Sequence, residues 1–94
     1  MINATKMKPF SNNRELCEYL LFWVAELKRR RFEELSEAVA FASRQASGMS
    51  TEFLGESRIA LRRVLKEEAG ILTVQERADL SDVLKQLDEA LDRR

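Results

Sequence analysis

The chain has 94 residues, of which 45% are hydrophobic and 34% charged, with three glycines and one proline. This length and composition predict one globular, helix-rich domain and argue against a second one. Sixteen basic residues balance 16 acidic residues, so no net charge draws the chain to nucleic acid or to a membrane surface. Binding of either kind would require a local basic patch.

Residues 1–10 carry the proline and have no periodic apolar pattern, which predicts a flexible N-terminal arm ahead of a single helical domain at 11–94. The arm lacks the continuous apolar run of a signal peptide. The longest apolar run, 19–25, is shorter than the roughly 20 residues that cross a bilayer. Because Cys17 is the only cysteine, a disulfide framework is excluded, and we expect a cytoplasmic protein in a reducing environment.

The first helix is predicted over 13–29, because Asn12 followed by Glu15 has the form of a helix N-terminus. Its apolar side chains fall at helical spacing: Leu16, Leu20, Trp23, Val24 and Leu27. The basic run that follows, 28–31, contains no glycine or proline, so one continuous helix through both segments remains an alternative. A mean helix length of about 12 residues favours a break near Arg30.

A second helix is predicted over 32–47, where apolar and small residues recur at helical spacing. We expect Gly48 to end it in the left-handed conformation, which glycine enters without steric cost. Ser50 then predicts the N-cap of a third helix over 51–69. Gly70 is expected to end the third helix in the same way as Gly48 ends the second.

Thr73 and Glu76 form a capping box, which predicts a fourth helix over 74–92. The leucines in the middle of the third and fourth apolar stripes should be fully buried: Leu61, Leu84 and Leu87. No segment alternates between apolar and polar residues as a strand does. The predicted fold class is therefore all-α, a small antiparallel bundle of four helices.

Catalytic chemistry is poorly supported by the residue types present. The chain has no histidine, so the usual general base at neutral pH and the commonest zinc ligand are missing. Neighbouring acids such as Glu33 and Glu34 point about 100° apart around a helix, as solvated charges do. The chain also lacks a glycine-rich phosphate loop. We expect no enzyme activity, no cofactor and no metal site.

Several large apolar residues lie off the predicted apolar stripes. At 100° per residue, Phe22, Phe41 and Ile59 point among charged neighbours, and Leu21 also falls outside its stripe. An apolar centre with a polar rim is typical of protein interfaces. These four residues are therefore the interface candidates, although a first helix buried on two sides would equally explain Leu21 and Phe22.

These observations favour a non-catalytic protein-interaction module in a regulatory, adaptor or inhibitor role, of which an immunity or antitoxin-like inhibitor is one version. A small domain covers leftover apolar surface readily by pairing with itself, so we expect a homodimer. A protein partner is the expected ligand, and a membrane is not.

The alternative is a nucleic-acid-binding regulator that uses the basic cluster Lys28, Arg29, Arg30 and Arg31 for contact with phosphate. A second group of basic residues lies on the third helix: Arg58, Arg62, Arg63 and Lys66. Acidic neighbours follow both groups, which is typical of a solvated surface with helical ion pairs. Nucleic acid is therefore not the expected partner.

Overall fold

The computed structural model describes residues 12–48, 50–68 and 70–92. It contains four α-helices, α1 (Asn13–Arg29), α2 (Glu33–Ser43), α3 (Ser50–Glu67) and α4 (Val74–Asp92), with a short 3₁₀ helix, Arg44–Ser47, after α2. Within these ranges there is no strand, and the predicted all-α helical bundle is confirmed. The arm predicted over residues 1–10 lies outside the described residues.

The helices α1 and α2 form an antiparallel hairpin, as two contacts along its length show. The hydroxyl of Ser36 donates a hydrogen bond of 2.9 Å to the carbonyl oxygen of Val24. Two turns away, the thiol of Cys17 donates to the carbonyl oxygen of Ser43 over 3.7 Å. The helices α3 and α4 are also antiparallel, since Arg58 in the first half of α3 contacts Asp88 near the end of α4.

All four helices contribute to one hydrophobic core. The three leucines predicted to be buried, Leu61, Leu84 and Leu87, are at most 8% exposed. The largest fully buried apolar side chains are Trp23, Phe53, Leu16, Leu20, Leu27, Leu61, Leu80, Val39, Val64 and Val83. The predicted stripes therefore face inward, as an amphipathic bundle requires.

The chain turns sharply between α1 and α2. The N–H of Phe32 donates to the carbonyl of Leu27 over 2.8 Å, and the N–H of Arg31 donates to the carbonyl of Lys28 over 3.1 Å. Together with a φ of 71° at Arg31, these bonds form a Schellman motif. Glycine usually occupies the left-handed position of this motif. The break falls at the predicted place, and α1 and α2 are not one helix.

The predicted role of two glycines as left-handed helix ends is wrong. Gly48 has φ −95° and ψ −149°, and no described glycine has a positive φ, which includes Gly70. The α-helical part of the second helix ends at Ser43, four residues before the predicted end, and continues as the 3₁₀ helix. This tighter winding gives the terminal carbonyls partners, as in the 2.9 Å bond from Gly48 N–H to Gln45, without a left-handed residue.

The predicted polar caps of α1 and α4 are confirmed, whereas Ser50, predicted as an N-cap, is the first residue of α3. Asn12 Oδ1 accepts the Glu15 N–H at 3.0 Å. In the capping box before α4, Thr73 Oγ1 accepts the Glu76 N–H, and Glu76 Oε1 accepts the Thr73 N–H, each over 3.0 Å. None of the described helices has the length and apolar character needed to cross a membrane.

Candidate interaction surfaces

A groove of about 530 Å³ runs between α2 and α3 and brings two of the interface candidates together. Phe41 on α2 is 48% exposed and Ile59 on α3 is 56% exposed. Ala38 and Ala60 also line the groove. Because both are small, they leave the larger apolar side chains of Phe41 and Ile59 open to water.

Charged residues of both signs line this α2/α3 groove on each helix: Glu34, Glu37 and Arg44 on α2, and Glu56 and Arg63 on α3. On α2, Glu34 and Glu37 lie towards the N-terminus, and Arg44 follows the C-terminal end. Arg44 forms an exposed ion pair of 3.3 Å with Glu37, along the outside of the helix turn that carries Phe41. On α3, the pKa of Arg63 is raised mainly by its hydrogen bond to Glu67 and to a smaller degree by Glu34 across the groove.

Phe22 lies elsewhere, in an aromatic cluster on α1. Its ring stacks on Tyr19, with centroids 6.4 Å apart, and meets Trp23 edge-on at 5.5 Å. Burial raises the pKa of Tyr19 to about 12, and the α4 carboxylates Asp79 and Glu76 add to the shift. Phe22 is therefore half-exposed but packed against an aromatic cluster of its own helix.

Leu21 occupies a third place, on the flank of α1 next to α2. Cys17, four residues before it, and Val24, three residues after it, both form hydrogen bonds to α2. Leu21 remains 50% exposed. Of the four interface candidates, the structure thus brings only Phe41 and Ile59 together.

The basic cluster that follows α1 is divided by the fold. Arg30 forms a bidentate ion pair with Glu76 on α4, with nitrogen–oxygen distances of 2.5 and 3.3 Å. The same guanidinium contacts Glu26 at 3.0 Å and lies 5.8 Å from the centre of the Trp23 ring. Its side chain is only 18% exposed. Arg30 therefore joins the end of α1 to the start of α4.

These ion pairs lower the pKa values of the carboxylates Glu76 and Glu26. The hydrogen bond from Arg30 is the main cause that lowers the pKa of Glu76. Arg29 pairs with Glu26 over 2.6 Å and is the main cause of the lowered pKa of that residue. Lys28 and Arg31 are exposed. The four basic residues thus do not form one continuous cationic surface.

A second groove, of about 550 Å³, lies between α3 and α4, and the sequence did not predict it. Leu65 and Leu84 form its floor, while Arg62 and Lys66 lie on one wall and Lys85 on the other. The signal was partly visible, because Arg58, Arg62 and Lys66 recur every four residues along α3. Whether Lys85 lies on the same groove as these residues depends on how α4 packs against α3, which the order of the helices in the chain does not reveal.

Two exposed apolar residues near the start of α4 were also missed. Ile71 is half-exposed in the turn before the capping box, and Val74 is 78% exposed. Val74 lines a shallow depression with Arg77, Ala78 and Ser81, and Ser81 also lines the α3/α4 groove. Ile71 lies in a turn and Val74 in the first turn of a helix, so neither belongs to an apolar stripe that helical periodicity could detect.

In the part of the chain that the structure describes, no group of three or more metal-binding side chains is close enough to hold an ion. Comparisons with protein-family models, curated proteins and solved structures found no match to this chain. The surfaces described above are therefore the basis for a function.

Proposed function

We propose that this chain is a non-catalytic protein-interaction module that forms a homodimer through the α2/α3 groove. The observation that carries the proposal is the meeting of Phe41 and Ile59, each about half-exposed, above the small side chains of one groove. Aromatic and aliphatic side chains in such positions are the usual anchors of an interface.

The charges along α2 favour a second copy as the occupant. A two-fold axis perpendicular to α2 sets the two copies of this helix antiparallel. The exposed Glu37–Arg44 pair of one copy then lies antiparallel to the same pair of the second copy, so that each carboxylate faces the guanidinium of the other copy as well as its own. Phe41 lies near the axis in this arrangement, where both copies bury it.

A regulatory, adaptor or inhibitor role in the cytoplasm is consistent with this proposal. A chain of 94 residues without histidine has few means of catalysis but ample surface for binding. A homodimer presents every remaining surface twice. Two linked copies bind a repeated or dimeric partner more tightly than one copy does, without any new contact.

The test is the mass of the protein in sedimentation equilibrium. Phe41→Glu and Ile59→Glu should each convert the dimer into a folded monomer. Each substitution removes an anchor that contributes about 2 kcal/mol or more to binding, and it would bury a carboxylate in the interface. Leu21→Glu is the matched control, since Leu21 is equally exposed but lies outside the groove. Circular dichroism should show unchanged helicity for all three variants.

Two results would contradict the proposal. A wild-type protein that stays monomeric at high concentration would exclude the homodimer. Loss of the dimer in Phe22→Glu, with retention in Phe41→Glu, would move the interface from the α2/α3 groove to the aromatic cluster on α1.

A further inference from the structure

The α3/α4 groove differs in chemistry from the α2/α3 groove. Three cations line it, Arg62, Lys66 and Lys85. Among the described residues of its lining, Asp88 is the sole carboxylate. One oxygen of Asp88 already accepts hydrogen bonds from Arg58 at 3.0 Å and from Arg62 at 3.3 Å. The groove therefore carries a local positive charge in a chain whose formal net charge is zero.

The centre of the groove is apolar. Leu84 is only 8% exposed and Leu65 is partly buried, so both are largely covered by their neighbours. A ligand that uses the whole site must place apolar side chains between Arg62 and Lys66 on α3 and Lys85 on α4.

We propose that the α3/α4 groove binds an acidic amphipathic helix of a partner protein. The furrow between two antiparallel helices is the shape into which the side-chain ridge of a third helix packs. The apolar face of the ligand helix covers Leu65 and Leu84. Its flanking carboxylates meet Arg62 and Lys66 on one side and Lys85 on the other, which orients the helix along the groove.

Two other anionic ligands fit the site less well. The phosphate backbone of a nucleic acid gains its affinity from many exposed cations, whereas this groove has three, of which Arg62 already bonds to Asp88. An anionic membrane is bound by a helix that exposes a broad apolar face, whereas Leu84 is only 8% exposed. Both ligands are included as competitors in the test.

The probe is a dye-labelled peptide of leucine and glutamate, with leucines at positions i, i+3, i+4 and i+7, followed by fluorescence anisotropy. A peptide of the same composition in scrambled order should bind at least about tenfold more weakly, because it loses the apolar face but keeps the charge. A matched peptide of leucine and lysine should not bind. Equal binding of the ordered and scrambled peptides would overturn the proposal.

Two variants test the place of binding. The double variant Lys66→Glu with Lys85→Glu should weaken the peptide by at least about tenfold, since both walls reverse their charge. Lys28→Glu is the matched control on α1 and should leave the affinity unchanged. Ser81→Trp fills the groove with a bulky side chain and leaves its charges in place, so it should also weaken binding. If the double variant loses helicity, Ser81→Trp alone tests whether the peptide binds in this groove.

Further arms separate this site from the proposed dimer. Phe41→Glu should bind the peptide with wild-type affinity, and the Lys66→Glu, Lys85→Glu variant should keep the wild-type mass. If Phe41→Glu abolishes peptide binding, the ligand occupies the α2/α3 groove and the proposal is wrong. It is also wrong if duplex DNA or anionic phospholipid vesicles displace the peptide as well as the unlabelled peptide does.

Discussion

The two helical hairpins of this protein are built differently along their seams. Between α1 and α2, the Ser36 hydroxyl donates to the Val24 carbonyl, and the Cys17 thiol donates to the Ser43 carbonyl. Between α3 and α4, long charged side chains such as Arg62 and Lys85 line the seam. We call the first seam closed, because Ser36 and Ser43 along it are at most 9% exposed, and the second seam open, because it leaves a groove of about 550 Å³. In these two hairpins, small residues accompany the closed seam and long charged side chains accompany the open one.

The largest effect should come from the residue that underlies the open seam. We expect Leu84→Ala to lower the free energy of unfolding by about 2–5 kcal/mol, because it removes buried contacts and leaves a cavity. Leu65→Ala should cost less, since Leu65 is only partly buried. Urea denaturation measures both changes. A loss below about 0.5 kcal/mol for Leu84→Ala would mean that α4 does not pack on α3 as described.

A bulky residue placed in each seam tests the comparison directly. Ser36→Leu should destabilise the fold by about 1–3 kcal/mol, because there is no space for the side chain at the closed seam and the bond to Val24 is lost. Ser81→Leu should change stability by less than about 0.5 kcal/mol, since Ser81 is exposed beside the open groove. Thermal unfolding of the two variants provides the measurement. Similar losses for both would show that the seams do not differ in this way.

Sequence reasoning succeeded where the decisive interaction is local. The cap of Asn12 on Glu15 and the capping box of Thr73 with Glu76 each span three residues, so the residue types and their spacing determine the contact. The apolar stripes were equally reliable. A helix must bury its apolar side whatever the order in which the helices pack.

The same reasoning failed where the partner is distant in the chain. Arg30 has the appearance of one of four surface cations until the fold brings Glu76, 46 residues later, into contact with it. The meeting of Phe41 and Ile59 likewise depends on the antiparallel register of α2 and α3. Exposure of each residue followed from its position on the helix, but the grouping of the residues into one surface did not.

The contact between Arg30 and Glu76 predicts a pH dependence. The pKa of Glu76 lies below its usual value of about 4.3, so its contribution to stability is complete above that pH and is lost as the pH falls through the lowered pKa. Glu76→Gln keeps an acceptor for the capping box but loses the charge. We expect the variant to be less stable than the wild type by about 1 kcal/mol at pH 7, a modest value because the pair is partly screened by solvent.

Urea denaturation at pH 7 and at a series of acidic pH values gives the required comparison. The stability difference between wild type and Glu76→Gln should shrink as the pH falls through the lowered pKa of Glu76, because the wild-type residue then becomes neutral as well. A gap that does not change with pH would assign the loss to packing or capping and not to the ion pair with Arg30.

The turn between the two helices of the closed seam offers the smallest and most local test. Arg31 has a φ of 71°, a conformation that costs residues with a side chain about 1 kcal/mol or more. Arg31→Gly removes this strain, but glycine also gives the unfolded chain more freedom. The net expectation is a gain in stability of about 0.5–1 kcal/mol, measured by thermal unfolding. Lys28→Gly is the control and should lower stability by about 1 kcal/mol, because Lys28 lies within α1. If both glycine variants are destabilised alike, Arg31 is not held in the left-handed conformation, and the closed seam begins from a different turn.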